Sequence, residues 1–303
     1  MAMIEVEGLT RSYGPTLAVA DLAFQIEAGQ VVGLLGKNGA GKTTTMRMLS
    51  GTLSPSGGSA RVAGFDLEKE PKKAKALIGY LPEVPPLYTD MTARGFLTFA
   101  AHLRGVKAVK QAVENTIERV GLGANAARPI HKLSKGYRQR VGIAQAIVHS
   151  PKVLLLDEPL SGLDPAQRRE IRDLIADLAH GDTTVVLSTH VLPEIEVLCD
   201  RVVVLNHGRL VANDRTRDLG GGLRRVRIQV ARPDPRVRAA LAALEHVQTV
   251  EQDGESGYLI VATEDVREQV SAAAVQAGLL ELTGHQSLEE AFLRLTDAPE
   301  ETS

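Results

Sequence analysis

The residues best suited to chemistry form a glycine-rich loop that ends in a lysine and a threonine. The segment Gly36-Lys37-Asn38-Gly39-Ala40-Gly41-Lys42-Thr43 matches the pattern G-x-x-x-x-G-K-[ST] without departure, and Thr44 follows it. Glycines allow backbone N–H groups to converge on phosphate oxygens, and the start of a helix adds its dipole. Lys42 would place a cation on the β- and γ-phosphates, while the Thr43 hydroxyl would bind Mg²⁺. The loop therefore predicts a nucleotide site.

Two adjacent acids form a second motif at the end of a predicted strand. The apolar run Leu154-Leu155-Leu156 is followed at once by Asp157 and Glu158. Ligands of open α/β sheets gather at the carboxyl ends of strands, which would bring these acids to the phosphate loop. Asp157 is suited to hold Mg²⁺ through a water, and Glu158 to act on a water beyond the γ-phosphate. A capping aspartate is the alternative, but the complete phosphate loop favours the chemical role.

Both motifs need a sheet that brings strand ends together, and the apolar pattern predicts one. Short apolar strands are predicted at 31–35, 153–156, 184–187 and 202–205, and helices within about 90–150 and at 166–179. Strands that are apolar on both faces and alternate with helices indicate a mostly parallel α/β sheet. A dinucleotide-binding fold is the obvious rival, but no G-x-G-x-x-G follows a strand in this sequence.

The pattern changes after Gly220-Gly221-Gly222, a run that is typical of a boundary. Beyond it, strands are predicted at 226–230, 247–252, 258–263 and 279–283, and helices at 235–244, 265–277 and 288–295. This βαββαβ order with a trailing helix is typical of a small ferredoxin-like α+β domain. We therefore expect a first domain over 1–220, with a helical subdomain at about 90–150, and an accessory domain over 221–303.

Composition narrows the classes of function. The 303 residues carry 35 Lys and Arg against 37 Asp and Glu, whereas nucleic-acid binders usually show a basic surplus. Only 3% of residues are aromatic, which argues against a base-stacking platform. The single Cys199 cannot form an intrachain disulfide, so a reducing, cytosolic setting fits. The apolar runs fall short of the ~20 residues of a transmembrane helix, and the N-terminus lacks a secretory-signal pattern.

Together with further motifs, the loop and the two acids resemble those of the ATP-binding subunit of ABC transporters. Leu133-Ser134-Lys135-Gly136-Tyr137-Arg138-Gln139-Arg140 is similar to the family's signature, Ser161-Gly162-Leu163-Asp164 to its D-loop, and Ser188-Thr189-His190 to its switch histidine. Tyr13 stands where the family places an aromatic ring against adenine. The resemblance covers about residues 4–215. It implies a P-loop ABC ATPase fold with a mostly parallel central sheet, an antiparallel β subdomain and a helical subdomain.

The resemblance also implies a head-to-tail dimer with two composite sites, in which the signature of one subunit covers the ATP of the other. The second subunit would be another copy of this chain or a related ATPase subunit. Ser134, Gly136 and Asp164 would then contact nucleotide across the interface. His190 would donate a hydrogen bond to the γ-phosphate and help to fix the attacking water. The simpler alternatives are that Ser134 only caps a helix, His190 only packs and Tyr13 only closes a turn.

Two departures from the family pattern point to a subgroup. The signature has Lys135 and Tyr137 where the commonest form has Gly and Gln, and Glu83 replaces the usual glutamine after Ile78-Gly79-Tyr80-Leu81-Pro82. Glu83 is still expected to reach Mg²⁺ or the water network, with more dependence on the metal because it adds negative charge. With the ending Ser287-Leu288-Glu289-Glu290-Ala291-Phe292, these variants resemble the ABC-2 subgroup of exporters.

We therefore interpret the chain as a cytoplasmic ATPase that hydrolyses ATP, with Mg²⁺, to drive a separate ABC-2-type membrane subunit, and we expect it to lie at the inner face of the membrane. Residues 83–96 are expected to dock that subunit, and no nucleic-acid partner is expected. A soluble mechanochemical ATPase acting on DNA or ribosomes is the alternative. It is disfavoured because the chain has one ATPase unit and no sustained heptads between its two nucleotide motifs. A P-loop kinase would leave the signature and D-loop without a use.

Overall fold

The computed structural model describes residues 2–179, 181, 183–216, 218–219, 224–285, 292–293 and 295–296. The chain divides into two compact units, Met1–Asp214 and Arg215–Ser303, which are described separately. Among the described residues, no helix is long and apolar enough to cross a membrane.

The first unit combines two sheets with a set of helices. Its strands are β1 (Ala2–Tyr13), β2 (Thr16–Glu27), β3 (Val31–Leu35), β4 (Gly57–Val62), β5 (Phe65–Asp66), β6 (Ile78–Leu81), β7 (Val153–Asp157), β8 (Thr184–Thr189), β9 (Arg201–Asn206) and β10 (Arg209–Arg215). Its helices are α1 (Lys42–Leu49), α2 (Pro71–Ala76), α3 (Ala93–Leu103), α4 (Val109–Arg119), α5 (Lys135–Ile147), α6 (Pro165–Ala179) and α7 (Leu192–Leu198). Two 3₁₀ turns, Gly123–Ala127 and Ile130–Lys132, lie between α4 and α5.

The central sheet has the strand order β10-β9-β3-β8-β7-β6 in the described part of the chain. The pairs β3–β8, β3–β9, β6–β7 and β7–β8 are parallel, which confirms the mostly parallel sheet. Every residue of β3, β7 and β8 is buried, as expected for strands covered on both faces. In the register, Leu35 pairs with Thr189 and Asp157 with Ser188, so the phosphate loop and both acids leave the sheet at one edge.

The expected antiparallel β subdomain is the second sheet, with strand order β2-β1-β4-β5. In the long hairpin of β1 and β2, the second half of β2 alternates buried and exposed residues, as a sheet with one covered face does. Ile4, Leu22 and Val62 of this sheet share one apolar core with Met46 of α1 and Val186 of β8. The two sheets therefore pack around α1 and fix the helix that follows the phosphate loop.

The expected helical subdomain is formed by α3, α4 and α5. Thr92 caps α3, because its hydroxyl accepts the N–H of Gly95 at 3.1 Å. Phe96 and Leu97 of α3 are buried, as are Val113 and Ile117 of α4. These side chains recur at the helical period, and the helices pack through them.

The second unit is a small α+β fold. Its elements are β11 (Arg224–Val230), α8 (Pro235–Ala242), β12 (Val247–Asp253), β13 (Gly257–Ala262), α9 (Arg267–Ala274), the 3₁₀ turn Val275–Ala277 and β14 (Leu279–His285). All its strand pairs are antiparallel and the order is β12-β13-β11-β14, the arrangement of the split βαβ motif. Val226, Ile228, Tyr258 and Ile260 contribute to a core of its own. Three features predicted from the sequence lie wholly or mostly outside the described residues: the Gly220–Gly222 run, the ending at 287–292 and the helix at 288–295.

The end of α5 is followed by a histidine that the fold keeps neutral. Burial lowers the pKa of His149 to about 4, and the nearby charge of Arg104 acts in the same direction. Its Nε2 lies 3.1 Å from the carbonyl oxygen of Ile78, and its Nδ1 is buried without a hydrogen-bond partner in the described part of the chain.

The unfolded chain, in which the pKa of His149 is near its ordinary value of about 6.5, therefore binds a proton that the folded chain excludes. The free energy of unfolding should fall as pH drops from about 6.5 towards 4. Glutamine does not titrate, so His149→Gln should lack this pH dependence. Between pH 7.5 and pH 5, we expect the free energy of unfolding to fall by about 1–2 kcal/mol more in the unsubstituted protein than in His149→Gln. Urea unfolding at both pH values measures the difference. His102→Gln, at an exposed position of α3, is the matched control. Equal pH slopes for all three proteins would contradict the prediction.

Candidate nucleotide site

The glycine-rich loop joins β3 to α1, as its sequence predicts. Gly41 precedes α1 with φ 97°, a left-handed conformation that favours glycine. A Cβ at this position would lie 2.7 Å from the carbonyl oxygen of Ala18, so no larger residue fits without a shift. Thr45 then closes the first turn through its N–H and hydroxyl, both of which donate to the Gly41 carbonyl. The backbone is thus held with the amino end of α1 at the sheet edge.

Lys42 is a buried cation that already has several partners. Its Nζ donates to the carbonyl oxygens of Gly36 at 2.8 Å and Lys37 at 3.3 Å, and lies 3.7 Å from Glu158 Oε1. Burial lowers the pKa of Lys42, and the charges of Glu158 and Asp157 oppose that change. The ammonium group therefore sits between the loop and the two acids that follow β7.

Asp157 is fully buried and is held through one of its two oxygens. Its Oδ1 accepts the hydroxyls of Ser188 at 2.6 Å and Thr43 at 3.3 Å. Burial raises the pKa of Asp157, the two hydroxyl bonds lower it, and the charges of Glu83 and Glu158 raise it further. The other oxygen, Oδ2, is buried without a partner among the described residues. An unpartnered carboxylate oxygen beside a threonine hydroxyl is a donor set that fits Mg²⁺.

Glu158 leaves the strand through an unusual turn. Its φ is 47°, a left-handed value that non-glycine residues rarely adopt and that often marks functional positions. The turn is held because the Glu158 N–H donates to the Oγ of Ser188 at 2.9 Å and to its carbonyl oxygen at 3.2 Å. The nearly buried carboxylate then meets His190, whose Nδ1 lies 3.0 and 3.1 Å from its two oxygens. Strands β7 and β8 therefore bring together the acid and the histidine expected to act on water.

One signature residue, Gly136, packs against the start of α6. Ser134 caps α5, because its Oγ accepts the N–H of Tyr137 at 3.4 Å. Gly136 is buried, and a Cβ there would lie 2.6 Å from Gln167 Oε1. The N–H of the same Gln167 donates to Oδ1 of Asp164 at 2.9 Å. Ser134, Gly136 and Asp164 thus form a second group, in which the first turn of α5 packs on the beginning of α6.

Two predicted residues outside the loop, Tyr13 and Glu83, are exposed. Tyr13 ends β1 and is 44% exposed, with the Arg11 guanidinium 4.9 Å from its ring centroid. Glu83 follows β6 and is exposed, yet its charge contributes to the pKa changes of Lys42 and Asp157. The structure therefore brings Glu83 within electrostatic reach of the loop and the acids.

Comparison with known proteins decides the family. The ABC transporter family matches residues 19–161. The daunorubicin/doxorubicin resistance ATP-binding protein DrrA of Streptomyces peucetius is 36% identical over 98% of this chain and 93% of its own length. The chain belongs to the ATP-binding proteins of ABC transporters. The bacitracin transport ATP-binding protein BcrA of Bacillus licheniformis is 40% identical over 69% of this chain and 68% of its own.

Solved structures agree with this assignment. CbiO1 from Clostridium perfringens, described as part of the ABC transporter complex cbiONQ, matches with a TM-score of 0.66 and 29% identity. The match covers 73% of this chain and 91% of that one. The predicted family and its ATPase class are confirmed, and this favours the transporter interpretation over the mechanochemical alternative.

Two polar residues of this ABC ATPase, Ser188 and Gln139, make contacts that their sequence motifs do not predict. Ser188 belongs to the histidine motif, and its hydroxyl donates to Asp157 Oδ1 and accepts the Glu158 N–H. Gln139 is buried and donates to the carbonyl oxygen of Pro159 at 2.8 Å, which ties α5 to the turn after the two acids. For Ser188 the available signal was a hydroxyl directly after the apolar run Val185-Val186-Leu187, whereas Gln139 lies between two arginines and gives no such signal.

The double role of Ser188 predicts a large effect on stability. Ser188→Ala removes the donor to Asp157 Oδ1 and one acceptor for the Glu158 N–H, and leaves a buried carboxylate with less support. We expect the free energy of unfolding to fall by about 1–3 kcal/mol, measured by urea denaturation at pH 7. Ser54→Ala, at an exposed position, should stay within about 0.5 kcal/mol of the unsubstituted protein. Equal losses in the two variants would show that the Ser188 hydroxyl has no special role.

Proposed function

We propose that the chain hydrolyses ATP in composite sites between two copies arranged head to tail, with Glu158 acting on the attacking water. The observation that carries this proposal is that Glu158 lies between a cation and a histidine at one edge of the sheet. Its Oε1 is 3.7 Å from Lys42 Nζ and 3.0 Å from His190 Nδ1. A base, its hydrogen-bonding histidine and a phosphate-binding cation in one place are the parts that phosphoryl transfer to water requires.

Lys42 and the loop amides would hold the phosphates of ATP. The Lys42 ammonium is poised for this role, since it would exchange its bonds with loop carbonyls for phosphate oxygens. Thr43 and Asp157 would hold Mg²⁺, with Glu83 close enough to reach its water shell. When bound, Mg²⁺ neutralises phosphate charge and orients the β- and γ-phosphates.

Glu158 would accept the proton of the attacking water while His190 orients its carboxylate. The side chain of Glu158 is only 11% exposed, which limits competing solvent around the base. His190 is exposed and therefore free to contact a phosphate that arrives from solvent. Tyr13 would stack on adenine, because an exposed ring at the end of a hairpin offers an apolar face.

The second copy would complete the site with its signature. Ser134 and Gly136 open α5, whose amino end is suited to bind an anion. Asp164 lies in the segment that packs against this turn through Gln167, so both would approach the partner's nucleotide together. The dimer is supported because one chain carries two separate groups suited to bind phosphate, the glycine-rich loop and the amino end of α5.

The sharpest test replaces Glu158 by glutamine. Glu158→Gln keeps the shape of the side chain but removes its basic charge, so phosphate release should fall by about 10²–10⁴-fold. ATP binding should persist because Lys42, Thr43 and Asp157 are unchanged. Loss of charge repulsion with the γ-phosphate should also make the ATP-bound dimer accumulate, which light scattering with and without Mg-ATP would detect.

Two further variants serve as controls for this test. Lys42→Ala should lose ATP and remain monomeric. Glu118→Gln, at an exposed position of α4, should hydrolyse ATP at the normal rate. Near-normal turnover of Glu158→Gln would remove Glu158 from the base role, and slow turnover without ATP-dependent dimers would leave the composite site unsupported.

We also propose that nucleotide binding belongs to residues 1–220 and that 221–303 form an accessory domain. The two compact units have separate apolar cores, and every residue assigned to the site lies in the first. The chain would act in the cytoplasm, at the inner face of a membrane.

The membrane partner is proposed to be a separate subunit of the ABC-2 type that works in export. The relatives named for drug resistance and for Nod factor export in Ralstonia nicotianae support this choice. Residues 83–96 would dock this partner. Val84 is 80% exposed, and the Tyr88 ring packs on Phe96 and Phe99 at centroid distances of 5.9 and 5.6 Å, which presents an apolar surface suited to an interface.

Cross-linking from a cysteine tests the docking surface. The native Cys199 is buried, so a cysteine introduced by Val84→Cys should be labelled selectively. In native membranes, it should cross-link to an integral membrane protein that resists carbonate extraction. Val197→Cys, equally apolar and 61% exposed, is the matched control on α7 and should not give this product. Identical products from both positions would contradict the assigned surface.

A further inference from the structure

A buried carboxylate on α7 has no role in the proposed hydrolysis. Glu194 is only 7% exposed, although it is charged and lies on a short helix. Its Oε2 accepts the hydroxyl of Thr189 at 2.6 Å. Burial raises the pKa of Glu194, while the Thr189 bond and the charges of Arg168 and His190 lower it. A carboxylate is rarely buried without a specific partner, so its position calls for a reason.

Thr189 connects this carboxylate to the turn that carries His190. Its hydroxyl donates to Glu194 and also accepts the N–H of Val191 at 3.0 Å. Val191 is the N-cap of α7 and has no side-chain bond of its own. In a capping box, the acid at the third helical position bonds directly to the N-cap N–H. Here Glu194 holds the third position and reaches that N–H through the Thr189 hydroxyl.

The bonds from the Val191 N–H to the Thr189 hydroxyl and on to Glu194 form a relay. In the sequence, His190 lies between Thr189 and Glu194. On its other side, Ser188 is held by its bond to Asp157. The backbone of the histidine is therefore fixed before it by the strand and after it by the Thr189–Glu194 relay. Its imidazole is exposed to solvent, and its Nδ1 lies against the Glu158 carboxylate. Without the relay, the turn would be free to carry the ring away from Glu158.

We propose that Glu194 is a positioning residue that acts through the Thr189 hydroxyl to hold His190 against Glu158. The inference rests on the proposed function, in which His190 orients the catalytic carboxylate. Glu194 touches no reacting group itself. The Arg168 guanidinium is close enough to Glu194 for their charges to interact. It also donates to the carbonyl oxygen of Leu163 at 3.5 Å, which connects Glu194 to the segment that precedes α6.

The test uses the full chain and the isosteric variant Thr189→Val, which removes the hydroxyl and keeps the volume. Displacing a catalytic group by about 1 Å can lower a rate by up to 10²-fold. We expect kcat for ATP hydrolysis to fall about 10- to 100-fold, with the Kd for ATP unchanged within about twofold. Thr189→Ser keeps the hydroxyl and should recover most of the rate. Thr116→Val, at another buried threonine, should retain normal kcat.

A double variant separates positioning from a general structural role. If the relay acts through His190, Thr189→Val should lower kcat less than twofold when it is added to His190→Ala. Additive losses, or normal kcat in Thr189→Val, would overturn the inference. A normal rate in His190→Ala alone would instead contradict the proposed role of His190, so the two failures are distinguishable.

Thr189→Val leaves the Glu194 carboxylate without its donor and could lower stability. Glu194→Gln provides the second variant, because its amide oxygen still accepts the Thr189 hydroxyl bond. It should retain kcat within a few-fold, whereas Glu194→Leu should match Thr189→Val. Equal rates in Glu194→Gln and Glu194→Leu would also overturn the inference.

Discussion

The site depends on the burial of Asp157 at the junction of β7 and β8. A carboxylate taken out of water needs hydrogen bonds to remain charged, and here the bonds come from hydroxyls of two other elements. Thr43 brings in the start of α1, and Ser188 brings in the neighbouring strand. The parallel register that pairs Asp157 with Ser188 is therefore as important to the site as the loop itself.

Much of this arrangement could be predicted from the sequence, because the phosphate loop and the two acids are contiguous motifs. The register of β7 against β8 could not, since it joins residues about thirty positions apart through the packing of the whole sheet. The left-handed turn at Glu158 is likewise invisible in the sequence, because glutamate has no preference for that conformation. The role of Glu83 was also predictable only in part, since its electrostatic reach depends on β6 lying beside β7.

The lysine in the signature shows how a departure from a family pattern can be accommodated. Lys135 follows the cap of α5, where a cation opposes the helix dipole. Its Nζ lies against Gly162, so that a Cβ on that glycine would overlap it. The lysine thus lies along the turn before α6, and Gly136 remains small enough for Gln167 to pack over it. Sequence comparison shows the substitution but not the contact of Lys135 with Gly162. The Ser134 cap of α5 is present together with this contact.

Two successive residues of β8 hold the edge of the sheet at which Asp157 and Glu158 lie. Side chains alternate between the faces of a strand, so Ser188 and Thr189 reach different neighbours. Ser188 bonds to the acid on the adjacent strand, and Thr189 bonds to the acid on the following helix. His190 comes next in the chain and returns to the side of Ser188, where Glu158 emerges from β7. Because each hydroxyl serves one buried carboxylate, the position of the histidine is determined by both sides of the strand, and neither bond can replace the other.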